Sequence, residues 1–339
     1  MSKKASHILV IRLSAMGDVA MTVPVLRAFT EQYSHIKVTV LTRTFFEPFF
    51  RDIPNVSVYH AELIGKHKNI FGLYQLSKEL KKLKIDAVAD LHNVLRSKIL
   101  KCFFSGIKVA QINKGRVEKK ALVTGKKFEQ LKTTHQRYAD VFETLGFPIN
   151  LDNPSFPPKA ILNQKLIEII GLTDKKRIAI APFAAHESKM YPLHLIENVI
   201  ESLSKNHQVL LFGGGKKESE LLTGIEQKFQ NVINLASKLT LDEELDVISN
   251  CDLMLSMDSG NAHIAAMLGI KVVTLWGVTH PFAGFFPFHQ NISNALLADR
   301  KLYPKIPTSV YGNKFPEDYK NAMATISPQS VVDKIESLL

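Results

Sequence analysis

Residues 253–281 read LMLSMDSGNAHIAAMLGIKVVTLWGVTHP and carry, in 29 positions, the pattern of a strand, a polar loop, a helix and a second strand. Leu253–Met257 is an unbroken apolar run, the signature of a parallel strand covered on both faces. It ends on Asp258-Ser259-Gly260, and the following helix opens with small residues whose first N–H groups have no partner within a helix. A helix N-terminus placed just beyond a buried strand favours an anion, phosphate above all.

The same alternation extends in both directions. Short β-branched or apolar runs at 7–13, 38–42, 56–60, 87–90 and 109–112, and again at 177–183, 208–213, 232–236 and 272–276, predict strands. Helical periodicity falls between several of them, at 73–83, 137–145, 193–204 and 241–250. The stretch 148–158 is rich in Pro, Asn and Asp and has no period, so it reads as a linker. The expected organisation is α/β, with two doubly wound, mainly parallel domains at 1–150 and 161–326 joined by a linker at 151–160. A last helix, 327–339, starts on Ser327 as N-cap and Pro328 at the first helical position. Its Val331, Ile335 and Leu338 stripe needs a surface, the first domain being one candidate.

Composition narrows the class. The 339 residues are 45% hydrophobic, and no uncharged apolar stretch reaches the roughly 18 residues of a membrane span. Cys102 and Cys251 are the only cysteines, too few for a disulfide framework, and a reducing cytoplasm is the expected setting. Residues 1–150 hold 25 Lys and Arg against 12 Asp and Glu, whereas 151–339 hold 18 against 20. Within the basic half, Lys114, Arg116, Lys119, Lys120, Lys126 and Lys127 surround one acid, Glu118, between Gly115 and Gly125, and read as a mobile basic loop. Such a run is either a solvated face or a surface for an acidic substrate, an anionic membrane or nucleic acid. No zinc-finger spacing or RNA-binding aromatic signature accompanies it, so nucleic acid is not the expected partner.

In open α/β sheets ligands sit beyond the carboxyl ends of the strands, which singles out four loops. Ser14-Ala15-Met16-Gly17-Asp18 follows the first strand, and its carboxylate fits either an N-cap or a general base. The loop lacks the further glycines of a dinucleotide fingerprint, which argues against a dehydrogenase. Residues 181–192 offer Lys189 as a cation at a strand end, and Gly213-Gly214-Gly215 lets backbone approach a ligand closely. The fourth is Asp258-Ser259-Gly260, with His263 one turn inside the helix. A lysine, a glycine loop and a helix cap at strand ends of one domain suit a nucleotide diphosphate. The histidines are scattered and no DxD pattern occurs, so neither a metal nor another cofactor is expected and protein groups must neutralise the phosphates.

On these residues the chain resembles the ADP-heptose:lipopolysaccharide heptosyltransferases, glycosyltransferase family 9. The resemblance rests on ILVIRLSAMGDVAMTVPVLRAF at 8–29 and SMDSGNAHIAAMLGIKVVTLWGVTHP at 256–281, supported by DLHNVLRSKIL at 90–100 and GGGKKESE at 213–220. It implies the GT-B fold, two Rossmann-like domains across a cleft, and an inverting, metal-independent transfer of a heptose from a nucleotide diphosphate, ADP-heptose, to a lipopolysaccharide core. Asp18 is then the general base, Lys189 contacts the diphosphate and Glu218 the ribose, beside Gly214 and Gly215. Leu239 lies near the base, Asp258 touches the sugar, and Ser259, Gly260 and His263 line the phosphate site. Arg96, Lys114, Arg116, Lys119 and Lys120 are the candidates for an anionic, lipid-linked saccharide acceptor at the inner face of the cytoplasmic membrane. The chain departs from the pattern at Ala184-Ala185, where relatives offer hydroxyls, at Tyr191 in place of tryptophan, and at His280 in place of aspartate. A sugar-nucleotide epimerase and a catalytically silent sugar-nucleotide or glycolipid binder of the same fold are the rival readings. The basic first half opposes the former and the Gly17-Asp18 turn the latter.

Overall fold

The computed structural model of the chain describes residues 5–339. The strands are β1 His7–Ile11, β2 Lys37–Thr42, β3 Val56–His60, β4 Ala87–Asp90, β5 Lys108–Gln111, β6 Arg177–Ala181, β7 Gln208–Leu211, β8 Val232–Asn234, β9 Leu253–Met257, β10 Lys271–Trp276 and β11 Ala295–Leu297. The helices are α1 Met16–Ala20, α2 Thr22–Gln32, α3 Ile70–Lys81, α4 Leu95–Cys102, α5 Arg116–Val123, α6 Thr134–Leu145, α7 Gln164–Ile170, α8 Leu193–Leu203, α9 Gly215–Glu226, α10 Leu241–Ser249, α11 Gly260–Met267 and α12 Pro328–Glu336. Every expected strand and helix is present to within a few residues. Among the strands β11 is the addition, a three-residue edge strand too short to give a period, and among the helices α2, α4, α5 and α7 are additions.

The strands form two wholly parallel sheets, ordered β3-β2-β1-β4-β5 and β11-β10-β9-β6-β7-β8. In each sheet the chain builds outward from its first strand on one side and then returns to the other. The switch points therefore lie between β1 and β4 and between β6 and β9. Loops leaving neighbouring strands diverge there and open a crevice at the carboxyl ends.

The two compact units are Met1–Lys114 with Thr134–Ser155, and Gly115–Thr133 with Phe156–Leu339. This differs from the division read from sequence, because residues 115–133 group with the second unit. Leu122 and Leu131 pack there with Ala283, Phe282 and Phe285, and the Leu131 N–H donates to the Phe282 carbonyl at 3.0 Å. The charge asymmetry shrinks accordingly, to 19 basic against 11 acidic residues in the first unit and 24 against 21 in the second.

In the first unit, Leu9, Ile11, Leu41 and Val88 of the strands meet Leu73, Leu76 and Leu80 of α3. In the second, Ile178, Ile180, Leu211 and Leu255 meet Ile196, Val199, Ile200 and Leu203 of α8. α12 packs on α8, with Val331 and Ile335 buried in the same core, so the final helix covers the second unit rather than the first. Its N-cap is as expected, the Ser327 hydroxyl accepting from the Ser330 N–H at 3.1 Å.

Candidate active site

β1 ends at Ile11, and α1 opens at Met16, with Ala15 as N-cap. Asp18 is thus the third residue of the helix and not its cap. Its Oδ2 is ion-paired with Arg12 and accepts from the Ala15 N–H at 3.4 Å, while its side chain stays 30% exposed. Oδ1 has no protein partner among the described residues and is open to a ligand. Arg12 is buried, donates from Nη1 to the Leu91 carbonyl at 2.7 Å and lies 5.9 Å from the Tyr138 ring centroid. Tyr138 in turn donates to the Asp18 carbonyl at 3.2 Å. Groups from the ends of β1 and β4 and from α6 therefore fix one carboxylate at the first switch point.

On the β4 side, the buried Asp90 accepts from the backbone N–H groups of His92 and Asn93 at 3.0 and 2.8 Å, and pairs with Lys101 at 2.5 Å. This turn holds His92 buried, with Nδ1 unpartnered. Its pKa is pushed down to about 4 by burial first and by the nearby charges of Arg12 and Lys114 next. Arg96, in the first turn of α4, and Lys114 are half-buried.

At the second switch point the lysine after β6 meets the aspartate after β9. Lys189 Nζ lies 2.8 Å from Asp258 Oδ2, with the two side chains 13% and 9% exposed. Thr279, after β10, donates to the same oxygen at 2.9 Å. The loop carrying Lys189 is tied down by the Ser188 hydroxyl on the Gly312 carbonyl at 2.5 Å and by the Tyr191 hydroxyl on the Ile326 carbonyl at 2.5 Å. Tyr191 is thus a buried anchor. Gly312 has φ +80, and a Cβ there would fall 2.6 Å from Lys189 Cδ, so only glycine lets the two segments pass.

Ser259 is the N-cap of α11, yet it makes no capping hydrogen bond. Its hydroxyl instead pairs with that of Ser256 at 3.0 Å, which leaves the amides of Gly260 and its successors without a side-chain cap. His263, one turn further, is buried. After β7, the Gly214 N–H donates to Glu218 Oε2 at 2.8 Å, with Gly215 at φ +77 opening α9. Phe183 of the β6 loop lies against Gly213, so the lysine and glycine loops are neighbours. Leu239, half-buried, sits in the turn between β8 and the Thr240 cap of α10. The candidate residues of the second unit therefore follow consecutive strands, Asp258 after β9, Lys189 after β6, Gly214 to Glu218 after β7 and Leu239 after β8. At ~4.8 Å per strand this row spans ~14 Å.

The basic segment is not a mobile loop. Its residues Arg116–Val123 form α5, and Lys119 is buried with its ammonium 3.9 Å from the Phe285 ring centroid, a cation–π contact inside the second unit. Arg116 and Lys120 remain exposed. His280 is likewise structural: its Nδ1 accepts from the Phe282 N–H at 3.2 Å, and its ring packs on Phe128 and Phe282. Burial first and Arg300 next push its pKa down to about 4.

His92 and His280 bind a proton near pH 6.5 when unfolded but only near pH 4 when folded. Their contribution to stability is complete above about 6.5 and is lost as pH falls towards 4. A His92→Gln/His280→Gln variant is expected to lose less stability than its parent between pH 7 and about 4.5 in urea titrations. Equal losses in both would overturn this. Glu244, raised to about 7 by burial, acts in the opposite sense but is common to both proteins.

Sequence reasoning missed Arg12, His92, Ser188, Thr279 and Gly312. Arg12 alone left a signal, a charge closing an apolar strand. Ser188 and Gly312 meet across 124 residues, with no pattern to connect them.

The family model for glycosyltransferase family 9 (heptosyltransferase) matches residues 73–310. The chain is 26% identical over 336 residues to lipooligosaccharide heptosyltransferase 2 of Campylobacter jejuni subsp. jejuni serotype O:6, covering 95% of this chain and 96% of that one. A family 9 glycosyl transferase structure from Veillonella parvula superposes with a TM-score of 0.76 at 20% identity, covering 100% of this chain and 98% of that one. E. coli ADP-heptose lps heptosyltransferase II superposes with a TM-score of 0.71 at 20% identity, covering 98% of each. The fold is GT-B, with two Rossmann-like parallel sheets. With Asp18 held open at one switch point and a lysine–aspartate pair beside an uncapped helix at the other, the chain is a glycosyltransferase and belongs to glycosyltransferase family 9, the heptosyltransferases.

Proposed function

We propose that the enzyme moves a heptose from ADP-heptose to the anionic saccharide core of a lipopolysaccharide, inverting the anomeric carbon without a metal ion. The observation that carries this reading is the row of residues along the second sheet. Asp258, Lys189, Glu218 and Leu239 follow successive strands in the order in which sugar, diphosphate, ribose and base are joined in a nucleotide sugar. The ~14 Å row suits such a ligand laid across the strand ends. The names of two relatives, one for ADP-heptose and lps and the other for lipooligosaccharide, agree with it.

In this reading the acceptor hydroxyl gives its proton to Asp18 Oδ1 as its oxygen bonds to the anomeric carbon, and the bond from that carbon to the diphosphate breaks. Lys189 and the first amides of α11 meet the charge that builds on the leaving diphosphate. Arg12 holds Asp18 in place, and the neutral His92 adds a hydrogen-bonding group at the same switch point. Arg96, Lys114, Arg116 and Lys120 are the proposed contacts to phosphates or carboxylates of the acceptor. Among the described residues no helix is long and apolar enough to cross a membrane.

Thermal unfolding with ADP-, GDP-, UDP- and dTDP-sugars tests the donor. A ligand at 100 times its Kd stabilises the folded chain by about 2.7 kcal/mol. ADP-heptose is expected to give the largest rise in Tm, and a larger rise with another nucleotide would overturn the assignment of the base.

A further inference from the structure

Beyond β10 and β11 the second unit holds a cavity of about 780 Å³, a size that takes a small saccharide. The row of donor residues does not use it. Its apolar walls include Leu122 from α5, Phe128, Ile306 and Phe315, and its charged groups are Arg300, Lys305 and Lys314. Among the described residues none of these three cations is ion-paired with a carboxylate. Arg300 is held ready: its Nε donates to the Ile306 carbonyl at 2.9 Å and its guanidinium lies 3.7 Å from the Phe128 ring centroid. With that edge and face engaged, its remaining N–H groups are free for a phosphate fork.

The loop that carries Thr308 and Lys314 of the cavity also reaches Lys189. The Thr308 N–H donates to the Val278 carbonyl and its hydroxyl to the Lys314 carbonyl, each at 2.9 Å, while Gly312 of the same loop presses on Lys189. The half-buried Arg300 and the exposed Lys305 and Lys314 make the cavity cationic, which favours a group carrying about two negative charges, as a phosphate monoester does. The mixed apolar and polar lining suits a sugar ring better than an acyl chain, and Arg300 already covers the ring of Phe128 on which a base would stack.

We propose that this cavity binds a phosphorylated sugar of the acceptor saccharide. The inference rests on the reading that the acceptor is an anionic saccharide, and its test does not depend on turnover. Glucose 6-phosphate at millimolar concentration is expected to raise the Tm of the full chain, and glucose alone is not. In a Lys305→Glu/Lys314→Glu variant, affinity for glucose 6-phosphate should fall at least tenfold while the Tm shift given by ADP is unchanged. Undiminished binding in the variant, or inorganic phosphate binding as tightly as glucose 6-phosphate, would overturn the sugar-phosphate site. A phosphorylated lipopolysaccharide core oligosaccharide should then displace glucose 6-phosphate, and its dephosphorylated form should not. Failure of both to displace it would assign the cavity to a free sugar phosphate and overturn the acceptor assignment. Displacement without any transfer from ADP-heptose would instead overturn the reaction proposed above and leave the cavity's ligand established.

Discussion

Replacing Asp18 with Asn is expected to lower sugar transfer by about a thousandfold or more while ADP affinity stays within about twofold. Base catalysis contributes roughly 10²- to 10⁴-fold, and an amide of the same shape cannot take the proton. The proposed donor row lies wholly on the second sheet, so that proposal gives nucleotide binding no direct dependence on Asp18. Stability also changes, because Arg12 is buried and loses its counter-charge. Stranding a fully buried charge costs about 3–5 kcal/mol; Asp18 is 30% exposed, so about 1–3 kcal/mol is expected. An Arg12→Met/Asp18→Asn variant separates the two effects, recovering stability in urea unfolding without recovering transfer. More than a tenth of the parental rate in Asp18→Asn would remove the residue from the role of base.

The second large effect is expected at Lys189. Lys189→Ala should lower kcat/KM for the donor by about 10²- to 10³-fold, the range found when a single pre-organised group facing a developing oxyanion is removed. ADP affinity should weaken about tenfold or more, since the diphosphate loses a cation in a site where both members of the ion pair are nearly buried. Asp258 keeps the Thr279 hydroxyl but loses its ion-pair partner, which lowers stability by about 1–3 kcal/mol. Lys189→Arg retains the charge, but the side chain is threaded past Gly312, so partial rescue is the expected outcome. Calorimetric titration with ADP alongside steady-state kinetics decides the matter: changes below threefold in both would mean that the lysine serves the ion pair and not the donor.

The sheets were legible because strands buried on both faces carry apolar runs such as 253–257 and 8–11, and the loops that follow could be ranked by position alone. Asp18, Lys189 and Asp258 stood out because each lies in the segment that follows such a run, where ligands of open α/β sheets sit. What could not be read was contact across long separations. The segment 115–133 shows its lysines in sequence and hides its packing, since Leu122 and Leu131 find Phe282, Ala283 and Phe285 some 150 residues later. Lys119 reads as an acceptor contact for the same reason, whereas its buried ammonium lies over a ring contributed by a distant turn. The cavity residues between 300 and 316 follow no helical or strand period, and contacts such as Arg300 on Phe128 bring them together with residues far back in the chain.

The placement of residues 115–133 bears on how the protein is made. A ribosome completing residue 155 has supplied every residue of the first unit, yet it has also released a basic helix whose apolar side has nowhere to go. Leu131 must wait for Phe282, 151 positions downstream, which at typical elongation rates is roughly ten to thirty seconds. Through that interval Leu122 and Leu131 stand exposed to any chaperone or neighbouring chain that recognises a short greasy segment flanked by lysines. The nascent protein passes that interval with every residue of its first unit, about two fifths of the chain, already synthesised.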